Sequence, residues 1–450
     1  MKLKDIAEYV TGKVSSEAIQ LEAYVTTDSL LQNKAGRVLA SNLPPEKCIL
    51  TKFQPGDVLV ANIRPYLKKI WRADCEGGCN ADVLAFRAKE GHCSEFLYAV
   101  LMQDAFFAYA MKGSKGSKMP RGDKSQMLRY EIPMLSSSQE KNIGKFMTNI
   151  DSKVALNREI NRNLEAMARQ LYDYWFVQFD FPDENGRPYK SSGGKMVWNE
   201  KLKREIPEGW YDTKLSKIAN ITMGQSPDGS SYNEQGNGIL FYQGSTDFGM
   251  RFPSIRLFTT SPTRFAKEGD ILMSVRAPVG ATNIANADCC IGRGLAAMNS
   301  KLGSITHLYH IIQDLKTAFD LRNDAGTTFG SITKDDLYNL VVLKPTKSIL
   351  ELYENICNPI FKQQMLVGRN IVHLIKQRDE LLPLLMNGQV NCDLLITEIQ
   401  AKVLGQCEYF RILMAGAWMR ENVVGGWRFF FGGKCGERVG FYVFLVIFVD

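Results

Sequence analysis

The chain has 450 residues, 45% apolar and 23% charged, with 55 basic and 48 acidic side chains for a net charge of +7 and only four histidines. That length accommodates two or three domains with cores of their own, and the composition excludes a disordered or collagen-like chain. Ten irregularly placed cysteines exclude a disulfide scaffold, and Met1-Lys2-Leu3-Lys4-Asp5 opens no apolar signal region, so a cytoplasmic protein is expected.

Residues 1–134 carry short β-type runs broken by Gly, Pro, Asn and Asp, which predicts a compact mixed α/β domain. The turn Phe53-Gln54-Pro55-Gly56-Asp57 introduces a strand from Val58 to Ile63. Between Ala61 and Ala73, Arg64, Lys68, Lys69 and Arg72 stand without an acidic neighbour, with Tyr66 and Trp71 interleaved. Cys75 and Cys79, like Cys289 and Cys290 further on, lack the second pair or histidine that would complete a metal site, and read as small buried hydrophobes. From Lys112 to Lys124, the cations Lys112, Lys115, Lys118, Arg121 and Lys124 face one acid, Asp123, and alternate with Gly113, Gly116 and Gly122. Glycines let backbone amides approach phosphate closely, and cations mixed with aromatics on loops fit nucleic acid. A solvated basic face is the other reading of each cluster.

A first spacer helix is expected within residues 135–180. Its apolar residues Ile143, Met147, Ile150, Val154, Ile160, Leu164, Met167 and Leu171 recur at threes and fours, as in a coiled coil, with Asn157 as a polar core position that sets register. Residues 181–208 are turn-rich and read as a crossover linker. A second domain follows at 209–345, with a strand from Ile271 to Val275. A second helix at 346–389 carries Tyr353, Ile360, Val367, Leu374 and Leu381 at steps of seven, supported by Ile371 and Leu385. Pro359 should kink or break its first part. Neither stripe is stable in water alone, so the helices are expected to pack against each other, antiparallel. Residues 390–450 end in a glycine- and phenylalanine-rich stretch and an apolar run too short to span a bilayer. They read as an atypical, poorly ordered and aggregation-prone tail translated from rearranged DNA.

The chain repeats itself. Lys2-Leu3-Lys4-Asp5-Ile6-Ala7 returns as Lys214-Leu215-Ser216-Lys217-Ile218-Ala219, an offset of 212. Phe53 to Leu59 with Arg64-Pro65 returns as Phe265 to Leu272 with Arg276-Ala277-Pro278, and Gly116-Ser117 with Lys124 faces Gly326-Thr327 with Lys334. Such long, sparse similarity marks a duplicated domain plus helix, with an internal pseudo-two-fold. In the second copy Arg276, Arg293 and Lys334 occupy places comparable to the first-copy cations; phosphate contact and a structural salt bridge are both open for each.

Enzymatic chemistry is poorly supported. No phosphate-loop motif is present, and His92, His307, His310 and His373 form no catalytic set. Asn358-Pro359-Ile360-Phe361 is the one segment that would support a self-contained DNA methyltransferase, without a glycine-rich cofactor loop before it.

The order domain, helix, domain, helix, together with Gly116-Ser117-Lys118-Met119-Pro120-Arg121-Gly122-Asp123, Tyr172-Asp173-Tyr174-Trp175-Phe176-Val177, Pro207-Glu208-Gly209-Trp210 and Arg378-Asp379-Glu380-Leu381-Leu382-Pro383, resembles the specificity subunit of type I restriction-modification systems over about residues 1–390. The resemblance implies two similar target-recognition domains separated by two antiparallel helices, and a non-catalytic subunit that reads an interrupted double-stranded DNA sequence. It also implies docking of two adenine-methylating modification subunits and of restriction/translocase subunits. S-adenosylmethionine, ATP and Mg would then belong to those partners, with no cofactor, metal or membrane bound by this chain. A DNA-binding regulator or silent allele without such partners is the remaining alternative. The phosphate contacts expected are Lys112, Lys115, Lys118, Arg121 and Lys124, then Arg64 and Lys68, and Arg276, Arg293 and Lys334. The helix contacts expected are Ile150, Val154, Asn157, Ile160, Leu164 and Leu171 against Ile360, Val367, Ile371, Leu374 and Leu381.

Overall fold

The computed structural model describes residues 1–116, 118–324 and 330–389, with the strands at 419–424, 427–432 and 446–448. It divides into two units, Met1–Leu156 with Val372–Ala415 and Asn157–Ile371 with Gly416–Asp450.

In the first unit α1 (Leu3–Ile6) leads into β1 (Ala7–Tyr9), β2 (Lys13–Ser15), β3 (Tyr24–Val25), β4 (Ile49–Phe53), β5 (Val58–Ala61), β6 (Ile70–Arg72), β7 (Gly77–Cys79) and β8 (Val83–Ala88). Then come α2 (Ser94–Met102), α3 (Asp104–Lys112), α4 (Lys124–Met127) and the start of α5 (Ser137–Tyr172). One sheet runs β1-β8-β5-β6, antiparallel throughout; the other runs β2-β4-β7-β3, with β3 parallel to β7. All of β5 is buried because its sheet is covered on both faces. Leu59 and Ala61 join Phe53, Trp71, Cys79 and Val83 between the sheets. Alternation sends Val58 and Val60 to the opposite face, on the side where α2 buries Phe96, Leu97 and Val100. The Gly-Asp turn before β5 is structural. Gly56 takes a φ of 92°, and buried Asp57 accepts the Gln54 N–H at 2.9 Å and both Arg87 donors at 2.8 and 2.7 Å.

The second unit begins with a hairpin of β9 (Met196–Asn199) and β10 (Arg204–Pro207), then β11 (Tyr211–Lys214) and α6 (Leu215–Ile218). The strands β12 (Ala219–Met223), β13 (Tyr232–Asn233), β14 (Ile239–Tyr242), β15 (Leu257–Thr259), β16 (Phe265–Ala266), β17 (Ile271–Ser274), β18 (Thr282–Ile284), β19 (Cys289–Ile291) and β20 (Leu295–Ser300) follow. It closes with α7 (Ile305–Asp324), α8 (Lys334–Asn339), β21 (Val341–Lys344) and the start of α9 (Lys347–Met386). Its sheet β12-β20-β17-β18 repeats the order β1-β8-β5-β6, and its second sheet again holds one parallel pair, β14 with β19. Asp270 repeats the Asp57 turn, accepting the Lys267 N–H at 2.9 Å. The backbones of β22 (Met419–Val424), β23 (Trp427–Gly432) and β24 (Val446–Phe448) form an antiparallel sheet. The rest of the tail expected at 390–450 lies outside the described residues.

The long helices pack together, antiparallel. In the first unit the Arg378 guanidinium meets Asp151 at 3.0 Å. In the second, the Gln364 amide donates to Glu165 at 2.7 Å. A step up α5 from Asp151 to Glu165 is thus matched by an equal step down α9. Ile143, Met147, Ile150 and Val154 are buried on α5, and Leu350, Tyr353, Cys357, Val367, Ile371 and Leu385 on α9. Asn157, Leu164, Leu171, Ile360, Leu374 and Leu381 are half-buried.

Two expectations are corrected. Ile160 and Met167 are 36% and 39% exposed, whereas their neighbours Asn161 and Ala168 are 5% and 6% exposed. The buried column advances strictly by sevens, Met147, Val154, Asn161, Ala168 and Trp175, so facing direction outranks apolarity and a polar amide is carried inward. The helix α9 is not broken at Pro359. Proline removes one ladder hydrogen bond at about 3 kcal/mol, and the buried side chains on either side hold the helix through it.

Candidate nucleic-acid interface

The two basic clusters of the first unit meet. The loop between β5 and β6 is stitched to the Gly113–Asp123 loop: the Arg64 N–H donates to the Pro120 carbonyl at 2.8 Å and the Gly122 N–H to the Asn62 carbonyl at 3.1 Å. Ile63 bridges Arg121, and Arg121 bridges Lys115. Two glycines permit this. Gly116 has a φ of 93°, and a Cβ on Gly122 would stand 2.1 Å from Met127 Cε. Asp123 caps α4 by accepting the Gln126 N–H at 2.8 Å. That backbone bond, helped by Lys115 and Arg129, holds its carboxyl below the usual carboxylate range.

Arg64, Lys112, Lys115, Lys118, Arg121 and Lys124 are exposed. Arg121 is tied to Asp82 at 2.9 Å; the others make no ion pair among the described residues. Lys68 is half-buried and bound to Asp104 at 2.9 Å, beside Lys34 at 3.1 Å. Burial opposes ionisation of Asp104, but these two ammonium groups prevail and lower its pKa. Lys69, Trp71 and Arg72 of the same run are engaged within the fold. Trp71 is only 8% exposed, Lys69 donates to the Thr27 carbonyl, and Arg72 pairs with Glu95 at 3.0 Å. These residues lead into or lie on β6, whose pairing with β5 fixes their directions. Arg37, absent from the sequence reading, stacks over Trp71 at 4.2 Å.

The second unit repeats the junction. Arg276 bridges Ser331, the Ala277 N–H donates to the Gly330 carbonyl at 3.2 Å, and the Val275 N–H to the Gly294 carbonyl at 2.9 Å. This brings Arg276, Arg293 and the loop before Lys334 into one neighbourhood. All three cations are exposed and make no ion pair among the described residues. Lys334 opens α8, capped by Thr333 and Asp336, with its ammonium 5.2 Å from the Tyr338 ring.

The remaining candidate chemistry is structural. His307 and His310 lie on α7 against Tyr172. Burial lowers the His307 pKa to about 3 and depresses that of His310. Cys79, Cys289 and Cys290 are buried in strands, and burial pushes the Cys79 and Cys289 thiols up to about 12. Asn358 to Phe361 lie inside α9, where no turn presents the amide. Among the described residues, no group of three or more His, Cys, Asp or Glu could hold a metal, and no helix is long and apolar enough to cross a membrane.

Residues 1–166 match the family model for the type I restriction modification DNA specificity domain. The chain is 32% identical over 231 residues to a putative type I restriction enzyme MjaX specificity subunit of Methanocaldococcus jannaschii, spanning half of each chain. It is 24% identical to the MjaIX specificity subunit of the same organism, over 87% of this chain and 93% of that one. The fold is similar to that of a crystallised type I restriction-modification S subunit from M. genitalium, with a TM-score of 0.52 at 14% identity over 86% of this chain and 95% of that one. Over residues 1–166 the chain is thus similar to the DNA specificity domain of type I restriction-modification systems, and its fold, two β-sheet domains joined by the paired α5 and α9, is similar to that of a solved S subunit.

Proposed function

We propose that the chain reads an interrupted double-stranded DNA target, with one half recognised by residues 1–134 and the other by residues 209–345. Residues 135–180 and 346–389 act as the spacer that sets the gap, and 181–208 as the crossover between them. Lys112, Lys115, Lys118, Lys124 and Arg64 contact phosphates of the first half; Arg276, Arg293 and Lys334 contact those of the second. Arg121 and Lys68 contribute less, since each already has a carboxylate partner. The spacer docks two modification subunits, which methylate adenine with S-adenosylmethionine, and the restriction/translocase subunits use ATP and Mg, all in the cytoplasm.

The observation that carries this reading is the repeated junction, Ile63 with Arg121 and Arg276 with Ser331, which gathers exposed cations on loops in both copies. Cations on such loops position a duplex, while a few other side chains read base edges. The test is to co-express the chain with its methyltransferase partner and map modified adenines across the host DNA. A new two-part motif with a fixed gap is the expected result; co-purification without any modification would reject it. Neutralising Lys115, Lys118 and Arg121 together should weaken binding to all sequences and reduce the salt slope by about 0.9 for each phosphate no longer neutralised. An unchanged slope would remove that loop from the interface.

A further inference from the structure

We propose that Tyr66 is a base-reading residue of the first half-site, a role that rests on the DNA-binding reading above. The loop between β5 and β6 is an unusually constrained element. Its 3-10 turn, Pro65–Leu67, is flanked by Arg64 and Lys68, both in the left-handed region with φ of 52° and 49°. It is anchored on both sides. Arg64 is tied to Pro120, the Asn33 N–H donates to the Leu67 carbonyl at 2.9 Å, and the Lys34 N–H donates to the Lys68 carbonyl at 2.8 Å. Asn33 and Lys34 are themselves left-handed, with φ of 55° and 59°. Such backbone conformations in residues other than glycine cost on the order of 1–3 kcal/mol each and persist only where the surroundings over-determine them.

What this rigid turn holds outward is Tyr66. Pro65 beside it is buried, whereas Tyr66 is 51% exposed. Its hydroxyl has no hydrogen bond and its ring no aromatic neighbour among the described residues. Several other tyrosine hydroxyls are satisfied internally: Tyr9 donates to the Lys124 carbonyl, Tyr232 to Pro227 and Tyr338 to Ile221. Tyr66 therefore contributes little to the fold that a smaller residue could not.

The duplicate copy supplies the contrast. Between β17 and β18 the same junction is kept, but Gly280, with a φ of 86°, stands where Lys68 does, and exposed Ala277 and Pro278 stand where Pro65 and Tyr66 do. The frame is preserved while the tip diverges, as expected where two copies read different sequences from one scaffold. Between Arg64 and Lys68, the phenol carries no charge for a phosphate. It offers a flat apolar face to a base or a thymine methyl and a hydroxyl to a base edge.

The test is selection from a randomised duplex pool with the purified full-length chain, its Tyr66→Ala variant and its Tyr66→Phe variant, with melting temperatures measured alongside. In Tyr66→Ala, preference at one or two positions of one half-site should be lost and affinity for the wild-type motif should fall about tenfold. The other half-site and the salt slope should stay unchanged. Tyr66→Phe should retain most of that preference. If Tyr66→Ala selects the same motif at the same affinity, or weakens binding to all sequences alike, Tyr66 does not read bases. If the wild-type chain selects no two-part motif, the underlying DNA-reading assignment falls, and this proposal with it.

Discussion

The two copies use one sheet frame but close it differently at the helix ends. In the second unit Tyr172, Trp175 and Phe176 join Phe179, Phe181 and Trp210 in a continuous aromatic core, and Leu202 and Arg204 of the β9–β10 region line a cleft of only about 170 Å³. In the first unit the corresponding positions are Leu382, Leu385 and Met386. Of these, Leu382 and Met386 border, with Met102, Tyr130 and Ile132, a cleft of about 510 Å³. The buried charges differ too. The first unit secures Arg378 with Asp151 and Asp379, and the second secures Arg251 with Glu165, Gln364 and Tyr309. Duplication kept the strand order, while side chains at the helix seam diverged independently, because packing volume and charge satisfaction are local requirements.

The largest effect should come from Arg378→Ala, which strands Asp151 in a buried setting. Loss of one partner from a buried pair costs about 3–5 kcal/mol, so denaturant unfolding should show a destabilised first unit with the second unit's transition retained. A single unshifted transition would mean that Asp151 finds another partner.

Acid should discriminate between the units next. His307 is fully buried, with its pKa held near 3, while an unfolded imidazole takes a proton near pH 6.5. Between those values the unfolded state binds more protons, so stability falls as pH drops from about 6.5, by at most about 1.4 kcal/mol per pH unit for this group. The first unit has Glu95 and Tyr98 at the places of His307 and His310, so no buried histidine at those places adds to its loss of stability in acid. His307→Phe should flatten the second unit's pH profile between about 6.5 and 4; an unaltered profile would assign the acid sensitivity to carboxylates.

Cleft size sets a smaller contrast. Met386→Phe should be tolerated within about 1 kcal/mol because the first unit's cleft has room, whereas Phe176→Trp should cost about 1–3 kcal/mol by overpacking. Equal costs in thermal unfolding would mean that the two clefts do not differ in usable volume. The smallest contrast lies in the paired loops. Gly280→Ala should cost about 1–2 kcal/mol through its left-handed φ, with the new Cβ only 3.1 Å from the Lys316 backbone. Lys68→Gly should be nearly neutral, since relieved strain offsets the missing bond to Asp104. A melting-temperature loss for Lys68→Gly as large as that for Gly280→Ala would show that the turn is not strained.

Much of this molecule was legible from residue order. The repeat offset, the Gly-Asp turns before β5 and β17, both long helices and the glycine-spaced basic loop follow from local rules: turn chemistry, period and composition act over a few residues and need no partner. The same rules could not say which cations remain available. Arg64, Lys68, Lys69 and Arg72 look alike in sequence. Only the β5–β6 pairing, the Asp104 carboxylate and the α2 acid Glu95 separate the exposed Arg64 from three engaged neighbours. Nor could apolar spacing choose Asn161 over Ile160, because the facing direction of a residue depends on the helix it meets. The tertiary structure likewise decided that two basic clusters some fifty residues apart form one surface, since the backbone bond from Arg64 to Pro120 joins segments that share no local signal.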